Sequence, residues 1–76
     1  MVLVTGIVYN NYTANVGDVK ILVELFDINN TLVRETERFV TPPSSTLEQK
    51  EREGFNFLML AEHFNHYNII AHGTIV

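Results

Sequence analysis

Val19-Lys20-Ile21-Leu22-Val23-Glu24-Leu25-Phe26 is the stretch on which the fold turns. Side chains of an extended strand alternate between two faces. Val19, Ile21, Val23 and Leu25 therefore share one side, and Lys20, Leu22, Glu24 and Phe26 share the other. The first face is wholly apolar and the second half polar, which predicts a strand with one side in the core and the other partly in solvent. Downstream, Asp27-Ile28-Asn29-Asn30-Thr31 is rich in residues that tolerate positive φ, so it reads as a hairpin connection. Residues 31–40 form the return strand, and Arg34, Glu35, Glu37 and Arg38 mark it as exposed or at a sheet edge. Upstream, residues 2–10 favour a strand through Val2, Val4, Thr5, Ile7 and Val8. Asn10, Asn11, Asn15, Gly17 and Asp18 then form a turn-prone stretch.

Thr41-Pro42-Pro43-Ser44-Ser45 ends the return strand, because proline cannot donate a ladder hydrogen bond. The segment from Thr46 to Phe64 has two readings. Ser45 with Glu48 resembles a capping box, and Leu47 to Glu51 suit a helix. Against a helix, Gly54 sits mid-segment at a cost of about 1 kcal/mol. Phe55, Phe57 and Met59 then alternate with Asn56 and Leu58. The favoured reading is a charged turn followed by a strand over residues 54–60, with residues 61–66 a loop or single helical turn. Residues 67–76 form a last strand, with Tyr67, Ile69 and Ala71 on one face. Short strands at near-regular intervals with turn signals between them predict an all-β sandwich. Its expected core is Val4, Val8, Ile21, Val23, Leu25, Phe55, Phe57 and Ile69.

A chain of 76 residues allows one domain, residues 1–76, whether it stands alone or is an excerpt of a longer protein. A domain this small buries only roughly 60% of its unfolded surface. The hydrophobic fraction of 46% argues against disorder. With no cysteine, disulfides and thiolate metal sites are excluded. A net charge of −4 without a basic run disfavours nucleic acid and anionic membrane surfaces as partners. No apolar run approaches the roughly 20 residues that span a bilayer, so no membrane insertion by this chain is expected.

Several short motifs together resemble the FxLYD domain family. Gly6-Ile7-Val8-Tyr9-Asn10 is similar to the family's opening G-x-V-x-N, and Val23-Glu24-Leu25-Phe26-Asp27 stands where F-x-L-Y-D would be. Thr41 to Leu47 resembles the Pro/Ser/Thr stretch before a family Leu, Phe55 falls where a Phe follows it, and Tyr67 and Ile69 fit the closing strand. The chain departs from the pattern at Val23, at Phe26, and at Gln49-Lys50, where the family usually has Pro-Gly. The resemblance implies an immunoglobulin-like antiparallel β-sandwich of about six to seven short strands. It also implies an accessory module of prokaryotic secreted or cell-surface proteins, with an extracytoplasmic location and no catalytic residues.

Function is therefore expected to be structural or protein-interacting, with no enzyme activity and no cofactor. A protein partner or self-association would use an open strand edge, either residues 31–40 or the last strand. The alternative is a small module that binds a metal or a carbohydrate, through residues 61–66 or the Tyr12 loop. There, His63 and His66 would lie three apart on a helical turn, with Glu62 or His72 completing the ligand set. The bland reading of the same residues is a polar loop. Asp27, Asn29 and Thr31 imitate half a calcium loop, but Leu32 stands where the required Gly would be. Asn11-Tyr12-Thr13 and Asn29-Asn30-Thr31 match the glycosylation pattern, as turns rich in Asn often do.

Overall fold

The computed structural model describes residues 1–41, 45–61 and 63–76. Pro42 and Pro43, read above as strand breakers, and Glu62, read as a possible ligand, lie outside the described residues, as does Ser44. Six strands follow one another: β1 (Val2–Tyr9), β2 (Val16–Phe26), β3 (Leu32–Phe39), β4 (Thr46–Leu47), β5 (Arg52–Met59) and β6 (His66–Ile75). They form two antiparallel sheets. One is the pair β1–β5. In the other, β2 is central, with β3 and the short β4 on one side and β6 on the other. The fold is thus all-β and two-layered, as the strand spacing predicts.

Within residues 46–64 the strands are β4 and β5, and among the described residues there is no helix. The charged residues between them make a tight turn instead of a helix: the Glu51 N–H donates to the Glu48 carbonyl at 3.1 Å, and the Glu48 N–H donates to Glu51 Oε1 at 2.9 Å. Lys50, third of the four turn residues, adopts φ of 66°. That is the position at which such a turn normally requires Gly. The chain beyond it pairs with β1 from Tyr9↔Arg52 to Val2↔Met59, a non-local ladder that overrides local helix propensity. Within that ladder Gly6 faces Phe55. A side-chain carbon on residue 6 would lie 2.7 Å from Phe55 Cζ, so the glycine makes room for the ring.

Gly17 and Asp18, read from sequence as turn residues, belong to β2, which begins at Val16. The reason is a bulge. The β2–β6 ladder passes from Gly17↔Thr74 to Lys20↔His72, so Asp18 and Val19 together oppose Gly73. Asp18 takes the left-handed conformation, φ 50°, found at the first residue of one class of bulge. The bulge turns both Val16 and Val19 into the core, three positions apart, which strict alternation does not anticipate. It also shifts the Val19 N–H, which donates to Thr41 Oγ1 at 3.3 Å. Gly73 is required opposite it: a Cβ there would collide with Val16 and come within 3.1 Å of the Gly17 carbonyl.

Two groups of buried side chains fill the space between the sheets. Val4, Ile21, Val23, Leu25 and Met59 form one, and Val16, Val19 and Leu47 the other, with Val8 and Val40 packed against both. Phe55 and Phe57 are partly buried against the first group. Ile69, expected in the core, is 40% exposed. It lies on the core face, opposite Val23 in the ladder, but has no layer above it. The reason is width. The β1–β5 sheet is two strands wide. Its β5 strand lies over β3, where the Arg38 guanidinium sits 5.4 Å from the Phe57 ring, and the β1 residue Val8 lies over Val16 and Val19. Nothing among the described residues covers β6.

A candidate interaction flank on β1 and β6

Along β6, Tyr67, Ile69, Ala71 and Ile75 oppose the buried residues Leu25, Val23, Ile21 and Val16, so all four stand on the core face. All four are exposed, Tyr67 by 64% and Ile75 by 63%. Each strand of the flank is paired on one side only: β6 with β2, and β1 with β5. Their other edges carry main-chain N–H and C=O groups with no ladder partner among the described residues. Because β5 covers β3 and β1 comes next to it, both edges lie on the same flank of the sandwich. Val8 and Tyr9 of β1 accordingly line one cleft together with Ala71, His72 and Gly73 of β6.

The two flanks differ in charge. None of the residues of β1 or β6 is Asp, Glu, Lys or Arg. On the opposite flank, β3 holds Arg34, Glu35, Glu37 and Arg38, and β5 holds Arg52 and Glu53. Charge on an edge strand, including inward-pointing charge such as Arg38, deters pairing with another chain. The β3–β5 flank has that protection and the β1–β6 flank does not.

The outer face of the four-strand sheet is laced with polar contacts. Glu37 lies between Lys20, at 3.8 Å, and His72, at 3.6 Å. Asn68 Nδ2 donates to Glu24 Oε1 at 3.4 Å, and Lys20 caps the Phe39 ring at 5.0 Å. These contacts are solvent-exposed and contribute little individually. They nevertheless give this face an ordinary polar surface, in contrast to the core face of β6.

The residues of the metal reading are not brought together. His63 is exposed in the β5–β6 connection. The His66 ring stacks on Phe26 with centroids 5.3 Å apart, and its Nδ1 lies 3.0 Å from Asn65 Oδ1. His72 is six residues further along the strand, beside Glu37. Among the described residues no group of three or more His, Asp or Glu could hold a metal ion. Tyr12, the loop aromatic singled out for a ligand surface, is exposed at the rim of a cleft of about 260 Å³. The polar group deepest in that region is already engaged: Asn10 Nδ2 donates to the carbonyls of Ala14, Leu47 and Glu48, and Oδ1 accepts from the Tyr12 N–H. Asn10 is a clamp between two loops, a role that the sequence signals only indirectly, through its place at the end of a strand, in a turn-prone stretch and in the G-x-V-x-N resemblance.

Compared with known proteins, the chain matches no family model, no curated protein and no solved structure. Among the described residues no helix is long and apolar enough to cross a membrane.

Proposed function

We propose that the protein is a non-catalytic interaction module that accepts an extended, uncharged strand along its β1–β6 flank. The observation that carries this reading is the coincidence, on one flank, of two unpaired strand edges with an exposed apolar strip and no charged side chain. A strand added to the β1 edge gains main-chain hydrogen bonds, and its alternate side chains face the apolar strip of β6 in the opposite layer. Natural edge strands of this length are normally blunted by charge, proline or a covering element, so an unprotected one marks a place where another chain is received. The resemblance to FxLYD domains supports the same reading. What that resemblance implies is an immunoglobulin-like accessory module of a prokaryotic secreted or cell-surface protein, in which a small domain would serve as a spacer or docking unit.

A titration with an uncharged peptide of alternating Thr and Val, followed by amide NMR, tests this. Shift changes concentrated on β6 and β1 are expected, unaffected by added salt because no charge pair is involved. No change at millimolar peptide, or changes confined to the β3–β5 flank, would remove the reading.

A further inference from the structure

We infer that the partner seated on this flank is a second copy of the same chain, with the two β6 core faces packed on one another. The inference rests on the reading of the flank as an interaction surface and names its occupant.

Strand direction sets the geometry. The C-terminal part of β1 and the Ala71–Gly73 part of β6 line the same cleft, beside the beginning of β2. Thus β1 and β6 run the same way, both antiparallel to β2. Consider a two-fold axis parallel to the strands, passing over the core face of β6 midway between the two layers. It carries the partner's four-strand sheet into the layer of β1 and β5, and sets the partner's β6 over the uncovered β6 of the first copy. Tyr67, Ile69, Ala71 and Ile75 of each copy then meet their equivalents at the spacing of about 10 Å at which aligned sheets pack. The same operation lays the outer edge of each β6 alongside the β1 edge of the other copy. Parallel pairing at that edge is slightly weaker per residue than antiparallel pairing, but it occupies both unpaired edges at once.

Charge at the contact itself does not oppose this occupant. Each copy carries a net charge of −4, so approach through a charged surface would be opposed. The β1–β6 flank is free of Asp, Glu, Lys and Arg, and a copy of itself presents the same uncharged surface. Pairing through β3 would instead set two copies of its four charged side chains, Arg34, Glu35, Glu37 and Arg38, along one edge, the kind of charge that deters strand pairing. The contact is isologous, so the symmetry closes at two copies. A simple edge pairing of β6 with β6 would leave the apolar strip exposed on both copies, which the face-to-face arrangement does not.

Sedimentation equilibrium of the wild type from micromolar to millimolar concentration is the test, with Ile69→Lys, Ile75→Lys and Ile70→Lys beside it. Ile69 and Ile75 are on the core face of β6, and Ile70 is on the outer face opposite Leu22. All three are already exposed in the single copy, and a circular dichroism melt checks that each variant folds. The expected result is a monomer–dimer equilibrium with no larger species. Ile69→Lys and Ile75→Lys should each weaken it by roughly thirtyfold or more, and Ile70→Lys should leave it nearly unchanged. A wild type that stays monomeric at millimolar concentration overturns the inference. So does a dimer that survives Ile69→Lys and Ile75→Lys. Neither result touches the peptide titration, which judges the flank independently of who occupies it.

Discussion

Ile21→Ala should lower the free energy of unfolding by about 3 kcal/mol, whereas Ile69→Ala, on the same face of the same sheet, should lower it by less than about 1 kcal/mol in dilute solution. The two residues occupy neighbouring strands and have the same side chain. Ile21 is 1% exposed, packed with Val4, Val23, Leu25 and Met59 between the layers. Truncating it removes buried carbon and leaves a space that the paired sheets cannot close, because β2 is held on both sides by ladders. Ile69 loses surface that is already partly in water and leaves no enclosed void. A domain of this length has a total stability of only about 4–11 kcal/mol, so Ile21→Ala takes a large share of it. Urea unfolding followed by circular dichroism at micromolar concentration measures both. Equal losses would show that β6 is covered in solution and that the flank is not open.

The second large effect is expected at Asn10. Its side chain is buried and makes hydrogen bonds of 3.0, 2.9 and 3.2 Å to the carbonyls of Ala14, Leu47 and Glu48 while accepting from the Tyr12 N–H at 2.9 Å. Its main chain ties the same loops, donating to the Glu51 carbonyl at 3.0 Å and accepting from the Lys50 N–H at 2.9 Å. Asn10→Ala keeps the main-chain bonds but strands the Leu47 carbonyl and removes the support of the Tyr12 turn. Unsatisfied buried groups cost about 1–3 kcal/mol each, so a loss of roughly 2–3 kcal/mol is expected. It should appear in urea unfolding together with faster amide exchange at Tyr12 and Lys50. A loss below about 0.5 kcal/mol, the size of an ordinary surface change, would mean that water replaces the clamp at no cost.

Much of the fold was legible because alternation is a direct consequence of strand geometry. β2 and its partner β3 follow from the pattern of residues 19–26, the Asp/Asn turn and the charge on the return strand. The turn bears this out in detail: Asp27 Oδ1 accepts from the N–H groups of Asn29 and Thr31, and Asn30 adopts φ 64°. Other features carried no local signal. A Lys at positive φ looks like any other Lys, so the turn at Lys50 could be taken for the start of a helix. The bulge at Asp18 hides the start of β2, because Gly17-Asp18 reads as a turn and only the long-range ladder shows otherwise. Leu47 and Met59 were missed as core residues because each ends a strand, where burial depends on what arrives from elsewhere in the chain.

Ile69 illustrates the limit most relevant to function. Alternation identifies which face of β6 turns inward, but it cannot say whether a second layer lies opposite. The flank itself did leave a trace. Arg34, Glu35, Glu37 and Arg38 mark β3 as a guarded edge, and the complementary signal is the absence of any such residue from His66 to Ile75. An edge without charge is as informative as an edge with it, once it is known that both are edges.

The claim that the core face of β6 is uncovered is tested most directly by methyl relaxation with a neutral soluble paramagnetic probe at low protein concentration. An open flank gives Ile69 and Ile75 relaxation enhancements approaching that of the exposed loop residue Ile28, while Ile21 and Val23 stay protected. Protection of Ile69 and Ile75 equal to that of Ile21, under conditions where the protein is monomeric, would show β6 covered by its own chain and would contradict the flank on which the proposed function rests.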